Sequence, residues 1–124
     1  MNLESTFGFD EDLACEGAWI DLEDARIKVA ALPNPNYDRH MQPVYRRYRD
    51  MGKSVPESEH EIAFAKFVLL DWENVEDEGA ELEPTEENKL AAIRKYSAFK
   101  VLVRNEAMNR ANFKRRRAEA ERKN

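Results

Sequence analysis

The run Gly17-Ala18-Trp19-Ile20-Asp21-Leu22-Glu23-Asp24-Ala25-Arg26-Ile27-Lys28-Val29 alternates apolar and polar residues, and the alternation stops at Leu32-Pro33-Asn34-Pro35-Asn36. Ala18, Ile20 and Leu22 interleave with Trp19, Asp21 and Glu23, and Ile27 and Val29 interleave with Arg26 and Lys28. Two short period-two runs joined by a polar turn predict a β-hairpin. The turn has no glycine, so its type stays open. Past the prolines the period lengthens. Tyr37, Met41, Val44, Tyr45 and Tyr48 recur at helical spacing, with Asn34 or Asn36 as the cap. Pro43 is expected to break or kink this helix, because it has no N–H for the carbonyl one turn back. Gly52 is expected to end it.

Ser58 with Glu61 predicts a capping box. It opens a central helix that takes in Ile62, Ala63, Phe64, Ala65, Phe67, Val68, Leu69, Leu70 and Trp72, apolar on nearly every side. An acidic loop around Gly79 follows, then Thr85 as a helix cap with Glu86 and Glu87 in the first turn. Leu90, Ala91, Ala92 and Ile93 form a short helix, and a last helix from about Ser97 aligns Phe99, Leu102, Val103, Ala107 and Phe113. The fold predicted is α+β and mainly α, an N-terminal hairpin followed by about four helices. Its core is expected to hold Trp19, Ile20, Ile27, Val29, Ile62, Phe64, Val68, Leu69, Ile93, Phe99 and Leu102. Residues 1–16 read as a flexible acidic arm, 17–113 as a single domain, and 114–124 as a basic helical tail or connector with nothing left to bury.

At 124 residues the chain fits one domain, with 42% hydrophobic residues to fill a core. The lone Cys15 excludes an internal disulfide and a cysteine-based zinc site. No apolar run approaches the ~18 residues of a membrane span. Met1-Asn2-Leu3-Glu4-Ser5 lacks the form of a signal peptide, so the expected setting is cytoplasmic with no membrane. The net charge of −5 conceals polarity along the chain. Residues 1–25 carry eight acids and 71–87 nine more, with no base in either, whereas twelve bases face three acids from Lys89 onward. Such polarity steers association.

Catalytic chemistry finds no foothold. His40 and His60 are the only histidines, beside no nucleophile or Gly-rich loop, and read as ordinary surface or helix-end residues. Four glycines supply no nucleotide loop or nucleophile elbow. An EF-hand around Gly79 needs a closing glutamate where Thr85 stands. No catalytic residue, cofactor or metal is therefore expected, and the chain is not expected to be an enzyme. Tyr37, Tyr45 and Tyr48, interleaved with Arg46, Arg47 and Arg49, carry the residue types that dominate protein–protein hot spots, and they are the predicted partner-binding set. The basic tail Lys114, Arg115, Arg116 and Arg117 has the charge for phosphate contact, but a solvated helix end complementing its dipole is favoured about two to one over nucleic acid.

Taken in order, several segments resemble the tail assembly chaperones of long-tailed bacteriophages. They are Gly17-Ala18-Trp19-Ile20, Leu32-Pro33-Asn34-Pro35-Asn36-Tyr37, Pro43-Val44-Tyr45-Arg46-Arg47 and Leu69-Leu70-Asp71-Trp72-Glu73-Asn74-Val75. Gly79, Pro84-Thr85-Glu86-Glu87-Asn88, Phe99 with Val103, Asn112-Phe113 and Lys123-Asn124 continue the series. The resemblance implies a non-enzymatic protein of the host bacterial cytoplasm, absent from the mature virion. Such a protein binds and solubilises the tape measure protein and helps recruit tail tube protein. It also implies a second, longer form made by programmed frameshifting, for which Arg122-Lys123-Asn124 would allow a slippery A-AAA-AAC message. That long form and a second copy of the chain join the expected partners. The alternatives are a minor tail or tail completion protein, which purified particles would contain, and a phage protein binding nucleic acid or a host protein through the basic tail, whose affinity for nucleic acid would fall steeply with salt.

Overall fold

The computed structural model describes residues 1–114. Two short helices, α1 (Leu3–Phe7) and α2 (Glu11–Glu16), precede the hairpin β1 (Ala18–Leu22) and β2 (Ala25–Val29). Then come α3 (Pro35–Asp50), α4 (Glu57–Phe67), β3 (Leu69–Glu73), a small ribbon β4 (Glu76–Asp77) and β5 (Ala80–Glu81), α5 (Glu86–Lys95), α6 (Ser97–Met108) and a 3-10 turn, Arg110–Phe113. The protein is α+β with its hairpin at the N-terminal side and helices dominant.

The hairpin forms with Ala18 opposite Val29, Ile20 opposite Ile27 and Leu22 opposite Ala25. Its turn uses Glu23 at positive φ, in place of the glycine usual there. Alternation sends Ala18, Ile20, Ile27 and Val29 inward. It sends Trp19 outward, correcting its place in the expected core: the indole lies half-buried on the outer face, with the Arg26 guanidinium 4.5 Å from the ring centroid.

The largest difference from the sequence reading is at Leu69. The expected central helix stops at Phe67, and Leu69–Glu73 joins the hairpin as a third antiparallel strand, in the order β1-β2-β3. The register pairs Lys28 with Asp71 and Val29 with Leu69, so Leu70 is an extra residue on β3. The bulge brings Leu69 and Trp72 to the same buried face although they are three residues apart. Three apart is helical spacing, and this is why the strand read as helix. Leu70 turns instead toward Gly17, where a Cβ would lie 2.8 Å from Leu70 Cδ1. With φ at +95° as well, that position admits only glycine without strain.

Other local expectations are adjusted by their surroundings. Asn34 caps α3, its side-chain oxygen accepting from the Asn36 and Tyr37 N–H groups at 2.8 and 3.3 Å. Pro43 does not break α3, which runs unbroken through it. Arg39 and Pro43 are both exposed, so the carbonyl that loses its donor lies on the solvent side. The capping box does not form: α4 starts at Glu57 behind Pro56, and Glu61 faces Arg94 and Lys100 at 3.3 and 3.9 Å. Thr85 caps α5 as expected, accepting from the Asn88 N–H at 3.1 Å.

The main core joins Ile20, Ile27, Val29, Leu69 and Trp72 from the sheet to Phe64, Val68, Ile93, Val103 and Ala107 from the helices, with Phe99 packed at its edge. Ile62 does not belong to it. The residue is 43% exposed, because it sits two positions before Phe64 and about 200° around the helix. Leu102, next to the buried Val103, is 36% exposed. Phe113 leaves the expected α6 stripe, because the helix ends at Met108 and Asn109 caps the following turn through the Ala111 N–H. Its ring fills a separate cluster with Leu13, Ala14, Ala18 and Ala31, and meets Phe9 edge-on. The acidic N-terminal segment is accordingly docked from Phe9 onward: Asp10 N–H donates to Phe113 O at 2.8 Å, and Leu13 is buried.

Candidate functional site

Three surfaces at the margins of the core carry groups that are open to solvent. The first is the outer side of α3. Only Met41 and Val44 of this helix are fully buried, and they meet Ala63 of α4 with Tyr37, Tyr48, Val55 and Phe67 around them. Of the six predicted partner-binding residues, Tyr37 and Tyr48 are half-buried in this seam. The Tyr37 hydroxyl and His60 Nδ1 share a hydrogen bond of 3.0 Å. Burial, and then the neighbouring Tyr45 and Glu57, push the Tyr37 hydroxyl above its ordinary pKa, so it stays protonated. Arg47 is committed to Glu59 at 3.5 Å and lies over the Tyr48 ring. Tyr45, Arg46 and Arg49 remain exposed, and Tyr45 and Arg49 line an open groove with Gly52, Lys53, Val55 and His60. The helix thus divides the predicted set into structural members and free members.

The second surface is a polar cleft of about 290 Å³ between α3, α4 and α6, lined by Tyr37, Glu57, His60, Phe64, Lys100 and Arg104. Lys100 donates to Glu57 at 2.8 Å, and this bond holds the Glu57 carboxyl below its ordinary pKa.

The third, missed from sequence, is an apolar cleft of about 270 Å³ beneath the β4–β5 ribbon, walled by Val75, Leu82, Ala91, Ala92, Tyr96 and Phe99. The ribbon is closed by Leu82 N–H donating to Val75 O at 2.9 Å, and Glu78 and Gly79 both take positive φ at its tip. Trp72 Nε1 donates to Leu82 O at 2.7 Å, fixing the ribbon to the core. On the other side Lys95 Nζ donates to Asp77 Oδ2 at 2.9 Å and to Glu78 Oε1 at 3.2 Å, and the Tyr96 hydroxyl donates to Asp77 Oδ1. The Tyr96 and Lys95 bonds hold the Asp77 carboxyl below the usual range, and Asp77 in turn raises the Lys95 ammonium. The sequence did hold a signal: Val75 and Leu82 are isolated apolar residues flanking an acidic Glu78-Gly79 turn.

Lys89, also unforeseen, buries its stem beside the core, donates from Nζ to Leu70 O at 3.3 Å, and has its pKa lowered by that burial. Lys114 of the predicted basic tail is half-buried and bridges Phe9, while Arg115, Arg116 and Arg117 lie outside the described residues. Among the described residues no three of His, Cys, Asp and Glu cluster to hold a metal, and no helix is long and apolar enough to cross a membrane.

No curated protein and no solved structure matches this chain. A family model described as YdaY prophage protein matches residues 32–124, from the peptide bond before Pro33 through α3 and beyond, well over half of the chain. The chain therefore belongs to the YdaY prophage protein family, a family of phage proteins.

Proposed function

We propose that this phage protein is a tail assembly chaperone that binds and solubilises the tape measure protein and helps recruit tail tube protein. It acts without catalysis, in the host bacterial cytoplasm, and is left out of the mature virion. The observation that carries the reading is the outer side of α3: Tyr45, Arg46 and Arg49 are exposed, and no ion pair within the described residues holds either arginine. Tyr and Arg on a rigid helix suit a protein client, because Tyr offers contact area at little ordering cost and Arg offers charge and several donors. Membership of a phage family and the sequence resemblance to tail assembly chaperones support the same reading. A second copy of the chain and a frameshifted long form belong to the proposed partners.

The test is co-expression with the tape measure protein of the same phage. Wild type should keep the client soluble and co-purify with it. Arg46→Glu with Arg49→Glu should lose the client while melting at the wild-type temperature, since neither side chain is in the core. A double variant that solubilises the client as well as wild type would remove α3 as the binding face. A wild-type chain that fails to retain the client would sink the chaperone reading itself.

A further inference from the structure

We propose that the cleft beneath the β4–β5 ribbon is a docking site for a basic segment of a partner protein, with a large apolar side chain in the cleft and Lys or Arg flanking it. This deepens the chaperone reading and rests on it for the partner's being a client protein. Three observations carry it. The cleft is apolar and large enough: its roughly 270 Å³ exceeds the ~150 Å³ at which a dry cavity already admits benzene. It is also held ready, because Trp72 fixes one side of the ribbon, and Lys95 and Tyr96 hold Asp77 on the other. A partner therefore meets a preformed site and pays little to order it.

The rim supplies the charge rule. Glu76 and Glu81 stand directly opposite each other across the ribbon. Like charges in that position destabilise a strand pair. Neither has a cation among the described residues, because Lys95 is committed to Asp77 and Glu78. Glu83 is exposed close by, also without a cation. A cationic side chain brought by a partner relieves this repulsion, whereas an anionic one adds to it. The chain's own basic segment does not meet both requirements, since Ala118 and Ala120 are the only apolar residues in 114–124. A segment of a client protein that combines a large apolar residue with basic neighbours meets both.

The experiment uses the full chain and two labelled synthetic peptides with the same leucine pattern, one flanked by lysines and one by glutamates, read by fluorescence anisotropy. The lysine peptide should bind, at least about tenfold more tightly than the glutamate peptide, and more weakly as salt rises. Ala91→Trp fills the cleft from an exposed position and should weaken the lysine peptide at least about tenfold. Glu76→Lys with Glu81→Lys keeps the cleft and should reverse the peptide preference. Equal binding of the two peptides overturns the charge rule. Wild-type affinity in a folded Ala91→Trp chain, checked by its melting temperature, overturns the cleft. Because the peptide measurements contain no tape measure protein, they fail or succeed independently of the co-expression test.

Discussion

Helix α4 has two sides, and they are built differently. Toward the sheet it presents Phe64 and Ala65, in one apolar cluster with Ile27, Val29 and Trp72 of the sheet, Val68 at the end of the helix and Ile93 of α5. Toward α3 it offers Ala63 to Met41 and Val44, and apart from Val55 the rest of that seam is made by aromatic and polar contacts. Tyr37 bonds His60, the Tyr45 ring lies against His60, and His40 lies against Phe67. The sheet side, with more fully buried apolar residues, is expected to carry the larger share of stability. The α3 side is mixed in character, and α3 keeps its charged exterior in solvent, where a partner could meet it.

The sharpest way to break the contrast is on the sheet side. Leu69→Ala, at a fully buried position, should cost about 2–5 kcal/mol in denaturant unfolding. A loss near zero would mean that the sheet side is no denser than the other. On the α3 side, Asn34→Ala removes a cap and the Nδ2 donor to Phe67 O, and should cost about 1–2 kcal/mol. A cost equal to that at Leu69 would erase the distinction. Ile62→Ala tests a residue that belongs to neither side, and should change stability by less than about 0.5 kcal/mol. The smallest effect is at Glu57. Its pKa is lowered below its ordinary 4.5 by the Lys100 hydrogen bond, so its contribution is present above that value and fades as the pH falls below it. The pair is largely exposed on the Glu57 side, which limits the effect to a few tenths of a kcal/mol, about 0.3. Wild type and Glu57→Gln should therefore differ slightly at pH 7 and converge in acid. Divergence in acid would reverse the assigned sign.

Much of this architecture was legible because local signals and tertiary demands agree. The hairpin alternation, the Asn34 and Thr85 caps and the start of α6 at Ser97 all sit where the residues say. Leu69–Glu73 was misread because a bulge gives a strand the spacing of a helix, and only the open edge of β2 resolves the choice. The Tyr/Arg set shows the same dependence on tertiary context: the Tyr37 bond to His60 and the Arg47 pair with Glu59 depend on where α4 packs. For the apolar cleft, Val75 and Leu82 flanking the Glu78-Gly79 turn signal the ribbon, but their placement against α5 is a tertiary contact that the local sequence does not show.

Strand β3 also sets a timetable for synthesis. The hairpin leaves the ribosome early, but its third strand lies some forty residues downstream, and the Val103 and Ala107 side chains that seal the same core come later still. At about 5–20 residues per second the hairpin waits for seconds with Ile20, Ile27 and Val29 exposed, since two strands alone are marginal in water. A force-sensing arrest sequence placed at successive lengths should register folding only once residue 107 has cleared the exit tunnel, and a signal from the hairpin alone would contradict this. A protein proposed to guard other chains thus passes through an interval in which its own apolar strands stand unprotected.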